Sequence, residues 1–285
     1  MPLLLSRARH ILQPLKPITL SIGFSFIVPV RLFNTGSTDP NQIRCTRRLI
    51  RQPSPAASRE SPYPIVFLRM KGLEGFEEEE EWVDWSAMFA ERGYTSVEID
   101  ISLPESSSSS SSVSVSVSDI QEIQRQEESQ ISIMNKVLST EIRLLSIPFP
   151  PLIISKGIST LLAQSFIEDF PCSGLILINP IPDEDPRSNS TKEIQTASSF
   201  KWPTFKYEPH FPIYILSTQE NLLNLSTKNR LIRDYGHLPN DPSSKQTGSW
   251  FRTKSKGIEI GVSNSTKIDE NGRIQVERWM DTQGF

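Results

Sequence analysis

The sequence predicts an α/β fold with a mostly parallel central sheet and helices on both of its faces. Short continuous apolar runs of strand length alternate with segments whose apolar residues recur with the period of a helix. The apolar runs are 65–68, 96–101, 152–154, 175–178 and 213–216. Runs that are apolar on both faces are typical of strands in a parallel sheet covered on both sides. Strands that alternate with helices at this spacing favour right-handed βαβ units.

The N-terminal segment 1–51 has the composition of a mitochondrial targeting sequence. It contains seven arginines and a single acidic residue, Asp39, and such arginine-rich, acid-poor starts are typical of transit peptides. Arg31 lies two residues before Phe33, which predicts cleavage near Phe33 or somewhat later. We therefore expect 1–51 to be a presequence with a flexible segment, 52–63 to be a linker, and the protein to lie in the mitochondrial matrix.

The alternatives for this segment are a secretory signal and a membrane anchor. The most apolar run, 18–30, is interrupted by serine, glycine and proline, and it is shorter than the roughly 20 apolar residues of a spanning helix. The small-residue cleavage site of a secretory signal is not clear either. We expect no transmembrane segment.

Charge and cysteine content exclude several kinds of function. The chain has 30 basic and 33 acidic residues, and residues 1–33 contain four of the basic residues and no acidic one. The rest of the chain therefore has 26 basic and 33 acidic residues, which gives it a net charge of -7. This acidic balance argues against nucleic-acid binding through a basic patch. The two cysteines form no CxxC pair and no phosphate-binding glycine motif is present, so we predict neither a metal site nor a cofactor.

The remaining elements follow from local patterns. A helix is predicted from Trp82 to Arg92, ended by Gly93, after the acidic run 77–81, whose glutamates we interpret as a solvated helix start rather than as metal ligands. A disordered serine-rich insert, 104–120, precedes a predicted helix at 121–145. The α/β domain then spans 64–262, and 263–285 is a C-terminal extension. Residues 257–262 and 273–279 are predicted to form either a closing hairpin or an additional edge of the sheet, with Asn271-Gly272 as a turn signal.

The run from residue 152 onward resembles the α/β-hydrolase family. In that family a buried strand ends in a small-x-nucleophile-x-small turn and enters a helix. Here the strand is 152–154, Ser155 and Ser159 are the two small residues, and 161–163 opens the helix. The resemblance covers roughly 64–225 and starts after the family's first hairpin, so the fold is predicted to be truncated there.

The resemblance implies a catalytic triad, but this chain departs from it. The nucleophile position is Gly157, which has no side chain to attack a carbonyl, although glycine suits the strained elbow. The acid position falls at Glu220, and the base should be a histidine after the last strand. His237 is the nearest candidate, yet it follows Glu220 by only 17 residues.

A shifted register gives a second hypothesis. Gly157-Ile158-Ser159 would place Ser159 at the elbow, with His237 and Glu220 completing a serine hydrolase of the esterase or acyl-transfer type. Against it, Ser159 has the position of a helix N-cap. Lys156 could contact an anion at the helix N-terminus or be a solvated loop lysine, which we favour.

Three functions are compatible with these observations. The first is an inactive α/β-hydrolase-like protein that acts through binding or assembly of a mitochondrial complex. The second is the serine hydrolase. The third is a small-ligand binding module that uses the pocket left at an elbow without a nucleophile. The oligomeric state and the partner are not indicated by the sequence.

Overall fold

A computed structural model describes residues 42–73, 75–76, 80–104, 129–186, 200–236, 258–265 and 269–285. Its strands are β1 (Arg44–Arg51), β2 (Ile65–Lys71), β3 (Ser96–Ser102), β4 (Leu152–Lys156), β5 (Gly174–Ile178), β6 (Ile213–Thr218) and β7 (Ile258–Ser263). Its α-helices are α1 (Val83–Glu91), α2 (Gln130–Leu144), α3 (Ser159–Asp169), α4 (Gln219–Lys228) and α5 (Glu270–Gln283), and a π-helical turn covers Leu231–Tyr235.

All of these strands belong to one sheet in the order β1-β3-β2-β4-β5-β6-β7. β1 is antiparallel to β3, whereas every other pair is parallel. The five strands predicted from apolar runs are confirmed, and so is the fold class. Because parallel strands end at one edge of the sheet, the loops after β2, β4, β5, β6 and β7 lie together at the carboxyl edge.

The strands alternate their side chains between two cores. Ile153 of β4 faces the core that includes residues of α2, α3 and α4, whereas Leu152 and Ile154 face the core formed with α1 and α5. Both faces of the sheet are therefore covered by helices. None of the helices within the described residues has the length and apolarity needed to cross a membrane.

The predicted boundary between presequence and domain is wrong, because Arg44–Arg51 is a strand of the sheet. Its basic side chains pair with acids of other elements: Arg47 and Arg51 contact the buried carboxylate of Glu98, and Arg48 contacts Glu141 of α2 at 2.7 Å. The segment 52–63 also packs against the domain, since Ser61 N donates to Gly93 O. The arginines that resembled a targeting signal are partly structural, because sequence composition does not reveal ion-pair partners.

The predicted C-terminal hairpin is wrong as well. Residues 273–279 are part of α5, and Asn271-Gly272 lies in its first turn, where Asp269 caps the Gly272 N–H at 2.8 Å. The apolar residues of α5, Val276, Trp279 and Met280, are buried against the sheet. The alternative of an additional edge is confirmed for the first segment, because Ile258–Ser263 is β7, the edge strand that pairs in parallel with β6.

Two other predicted segments lie partly outside the described residues. They are most of the serine-rich insert 104–120 and the first part of the helix predicted at 121–145. From Ser129 onward the helix is confirmed as α2, and the Ser129 hydroxyl caps it by accepting from Ser132 N. The helix predicted at 82–92 is confirmed as α1, with Gly93 at a φ of 97° after its end.

Candidate functional site at the carboxyl edge of the sheet

The turn between β4 and α3 has the strand-turn-helix form predicted for it. β4 ends at Lys156, α3 begins at Ser159, and Gly157 between them has a φ of 50°. This left-handed conformation favours glycine, because a Cβ would crowd the following carbonyl. The Gly157 N–H donates to Ile178 O at 2.9 Å, which fixes the turn against the end of β5. The apex of the bend therefore presents a hydrogen atom.

Ser159 lies two residues past this apex and faces inward. It is fully buried, as is Ser155 on the other side of the bend. The hydroxyl oxygen of Ser159 accepts a 2.7 Å hydrogen bond from the backbone N–H of Met70 in β2. Its predicted role as an N-cap is wrong, because Ile158 is the N-cap and makes no side-chain bond to the helix. Ser159 joins two secondary structure elements.

The position of the catalytic base follows from the last strand. β7 ends at Ser263 and is followed by Asn264 and Ser265. The sequence has no histidine beyond His237, which precedes β7 in the chain and lies outside the described residues. His210 is exposed, precedes β6 and lies 3.6 Å from Glu208. The segment after the last strand thus offers no imidazole.

The position of the catalytic acid follows β6. Glu220 is exposed in the first turn of α4, where Thr218 caps the helix by accepting from Asn221 N. The adjoining polar groups bond one another: Ser217 donates to Asn179 Oδ1 and accepts from the side chain of Asn221, both at 2.8 Å. This amide and hydroxyl network at the ends of β5 and β6 was missed by the sequence reasoning. A possible signal was the Asn179-Pro180 pair directly after a buried strand.

Lys156 forms an ion pair instead of lying free in a loop. Its ammonium contacts Glu80 at 3.1 Å, and its side chain is only 13% exposed. The solvated interpretation of Lys156 is therefore wrong. This ion pair links the elbow to the segment after β2, and it neutralises the charge that the less favoured interpretation of Lys156 assigned to an anion contact.

The described end of the acidic run is also ion-paired. Glu81 contacts Arg47 at 2.7 Å and Arg69 at 3.3 Å, and the hydrogen bond from Arg47 lowers the pKa of Glu81 below its usual range. These glutamates precede α1, which starts at Val83. Glu80 and Glu81 are both exposed, as the solvated interpretation predicted, and they additionally pair with cations of β1, β2 and β4.

Comparison with known proteins finds likeness in structure rather than in sequence. No protein-family model and no curated protein sequence matches the chain. MenH from S. aureus matches with a TM-score of 0.50 and 10% identity over 84% of this chain and 100% of that one. MGS-M1, an alpha/beta hydrolase enzyme from a Medee basin deep-sea metagenome library, matches with a TM-score of 0.47 and 10% identity over 85% and 97%.

A third match is partial. A probable hydrolytic enzyme from Pseudomonas aeruginosa PAO1 matches with a TM-score of 0.34 and 15% identity, and the alignment spans 50% of this chain and 38% of that one. The match to MenH, together with the strand order and the strand-turn-helix bend, shows that the chain has an α/β-hydrolase fold. At this level of identity the likeness concerns the fold and leaves the chemistry open.

Proposed function

We propose that this α/β-hydrolase-fold chain is a catalytically inactive protein of the mitochondrial matrix, acting through binding in the assembly or maintenance of a larger mitochondrial complex. The observation that carries the loss of catalysis is the elbow, where Gly157 occupies the apex at a φ of 50°. A glycine cannot form the covalent intermediate of an acyl-transfer enzyme.

The surroundings of the elbow support the same conclusion. A serine nucleophile needs an imidazole base, which itself must be oriented by a third group. The chain has no histidine after β7, and at the ends of β5 and β6 the Ser217 hydroxyl donates to Asn179 Oδ1. The turn is thus present with a glycine at its apex, which supports a protein that does not use the turn for catalysis.

The alternative is a serine hydrolase built from Ser159, Glu220 and His237. It would require Ser159 to give up its bond from the Met70 N–H and to leave a fully buried position. Glu220 would also have to turn inward from its exposed place on α4. These requirements favour the inactive protein.

A fluorophosphonate probe separates the two functions, because it reacts with activated serines. We expect no labelling of the purified, folded full chain under conditions in which a serine esterase is labelled completely. Labelling that disappears in the Ser159→Ala variant would overturn the proposal. Circular dichroism of the same samples establishes that both proteins are folded.

The mitochondrial part of the proposal rests on the basic residues of 1–33, where no acid occurs. A reporter fused to residues 1–43 tests it without including β1, which starts at Arg44. We expect the reporter to be protected from added protease inside mitochondria. A reporter that stays in the cytosol would contradict the assignment.

The binding part requires a complex larger than the 32.3 kDa chain. Native electrophoresis of gently solubilised mitochondria should place the protein well above its own mass. If the protein migrates as a monomer while the reporter is still imported, the proposed role in assembly is contradicted. The proposal of an inactive matrix protein would then stand without it.

A further inference from the structure

An apolar groove lies at the amino edge of the sheet, away from the elbow. Its volume is about 490 Å³, and it is bounded by the C-terminal part of α2, the segment 146–151 before β4, and the end of α3. The length of β4 separates it from Gly157 by roughly 16 Å. It therefore belongs to neither the elbow nor the ends of β5 and β6.

The wall of the groove is built from rings and branched side chains. Phe166 and Phe170 of the α3 end stack with their ring centroids 4.8 Å apart, while Ile142 of α2 and Phe149 complete the lining. Phe149 is 45% exposed even though its ring contacts Tyr63. Phe166 is buried and Phe170 and Ile142 are half-buried, so Phe149 is the large apolar side chain of this wall that faces solvent. An exposed apolar side chain beside a concavity is typical of a binding surface.

One formal charge borders this apolar wall. Arg143, in the last turn of α2, is the single charged residue of the lining. Its guanidinium makes no ion pair or hydrogen bond with the residues that the structure describes, whereas Arg48 is paired with Glu141 of the same helix. An arginine beside apolar surface favours a carboxylate, which it binds through two parallel hydrogen bonds.

The neighbouring backbone does not cancel this charge. The last carbonyls of α2 would repel an anion if they were unpaired. The carbonyls of Ile142 and Arg143 accept from the N–H groups of Leu145 and Ser146, both at 3.1 Å. The polar character of the groove is thus set by the guanidinium, with the hydroxyls of Ser139 and Ser146 beside it.

We propose that this groove binds an amphiphilic monocarboxylate, with its aliphatic chain against Phe166, Phe170 and Ile142 and its carboxylate on Arg143. The volume lies within the roughly 300–1,000 Å³ of small-ligand sites, which combine an apolar lining with few polar groups. A neutral alkane would make no hydrogen bond to the guanidinium. A multiply charged anion would have one cation to pair with, and its other charges would lie against the apolar wall. The site goes beyond the proposed function and does not depend on it.

Calorimetric titration of the full chain with dodecanoate and with dodecanol tests the proposal. We expect dodecanoate to bind at least about tenfold more tightly than dodecanol, because the charged hydrogen bonds to Arg143 are lost with the alcohol. Arg143→Gln should remove this preference and leave dodecanol binding unchanged. Arg278→Gln is the matched control, since Arg278 is exposed on α5 and does not line the groove.

A photoreactive diazirine analogue of dodecanoate locates the site. Crosslinked peptides should come from 139–151 and 166–171. Crosslinks in the loops after β4, β5 and β6 would overturn the proposal, and so would no binding to the folded chain. It would also be overturned if dodecanoate and dodecanol bound equally well, or if Arg143→Gln kept the preference for dodecanoate. The fluorophosphonate result is read independently of all these outcomes, because the groove lies at the other edge of the sheet.

Discussion

The hydroxyl of Ser159 accepts a 2.7 Å hydrogen bond from the backbone N–H of Met70 and so joins the first turn of α3 to the end of β2. Ser159→Ala leaves this buried donor without its partner, which costs about 1–3 kcal/mol of unfolding free energy. Urea unfolding measures the loss. Ser226→Ala is the control, since that hydroxyl bonds only within its own helix, to Leu223 O; equal effects of the two substitutions would contradict the structural role of Ser159.

Gly157→Ser places a hydroxyl at the apex of the bend. We expect no ester hydrolysis, because the segment after β7 supplies no histidine to activate the new serine. We also expect a loss of roughly 1–2 kcal/mol in stability, since Gly157 has a φ of 50° and a side chain is disfavoured there. Fluorophosphonate labelling of the variant would show that a base reaches the elbow after all.

Arg51 anchors the edge strand β1 to the sheet. It donates to Ser86 Oγ at 2.9 Å and contacts Glu98, whose side chain is 2% exposed. Arg51→Ala should lower the unfolding free energy by about 1–3 kcal/mol. This is less than the cost of leaving a buried carboxylate without any ion-pair partner, because Glu98 keeps its contact with Arg47. Arg44→Ala, at an exposed position of the same strand, should change it by less than about 0.5 kcal/mol. If Arg51→Ala and Arg44→Ala lowered the unfolding free energy equally, the proposed anchoring of β1 by Arg51 would be contradicted.

Glu81 gives a pH-dependent contribution to stability. Its pKa is lowered from 4.5, first by the hydrogen bond from Arg47, so its stabilisation is complete above the unfolded-state pKa and disappears as the pH falls through the folded-state pKa. Glu81→Gln should therefore lower the melting temperature at about pH 7, and this loss should shrink as the pH falls below the unfolded-state pKa of about 4.5. The change at neutral pH corresponds to less than about 1 kcal/mol because the carboxylate is half exposed. A larger effect in acid than at neutral pH would contradict the assigned ion pair.

Gly261 of β7 leaves room for a buried tyrosine. A Cβ built at this position lies 2.0 Å from the Tyr214 hydroxyl and 2.7 Å from the Tyr214 Cζ. Gly261→Ala should cost about 1–3 kcal/mol or more through overpacking, and Tyr214→Phe in the same chain should recover part of it. Gly284→Ala is the comparison, because its Cβ meets nothing within 4 Å and only its φ of 84° opposes the change.

Local patterns in the sequence were sufficient for the central strands and for the bend. Apolar runs such as 65–68 and 175–178 are buried on both faces whatever their neighbours, so their burial is encoded within each run. The glycine at position 157 likewise follows directly from the pattern of the turn. The sequence left open whether Gly157 or Ser159 lies at the apex of the bend, and the φ of 50° at Gly157 decided it.

The C-terminal segment shows where local signals are insufficient. Asn271-Gly272 is a turn signal by composition, yet here it starts α5, because Asp269 caps the helix and Trp279 finds a buried place against Tyr214 of the sheet. Which interpretation holds depends on the surface that the segment packs against.

By itself the sequence determined the strand-helix alternation and the glycine of the turn, since each depends on residues close together in the chain, and it determined the acidic balance, which depends on composition alone. The tertiary structure decided that the arginines of 44–51 belong to the sheet, that Lys156 is paired with Glu80, and that 273–279 is helical while β7 alone extends the sheet beyond β6. These outcomes join residues far apart in the chain, and the ion pairs and strand contacts that decide them exist only after the chain has folded.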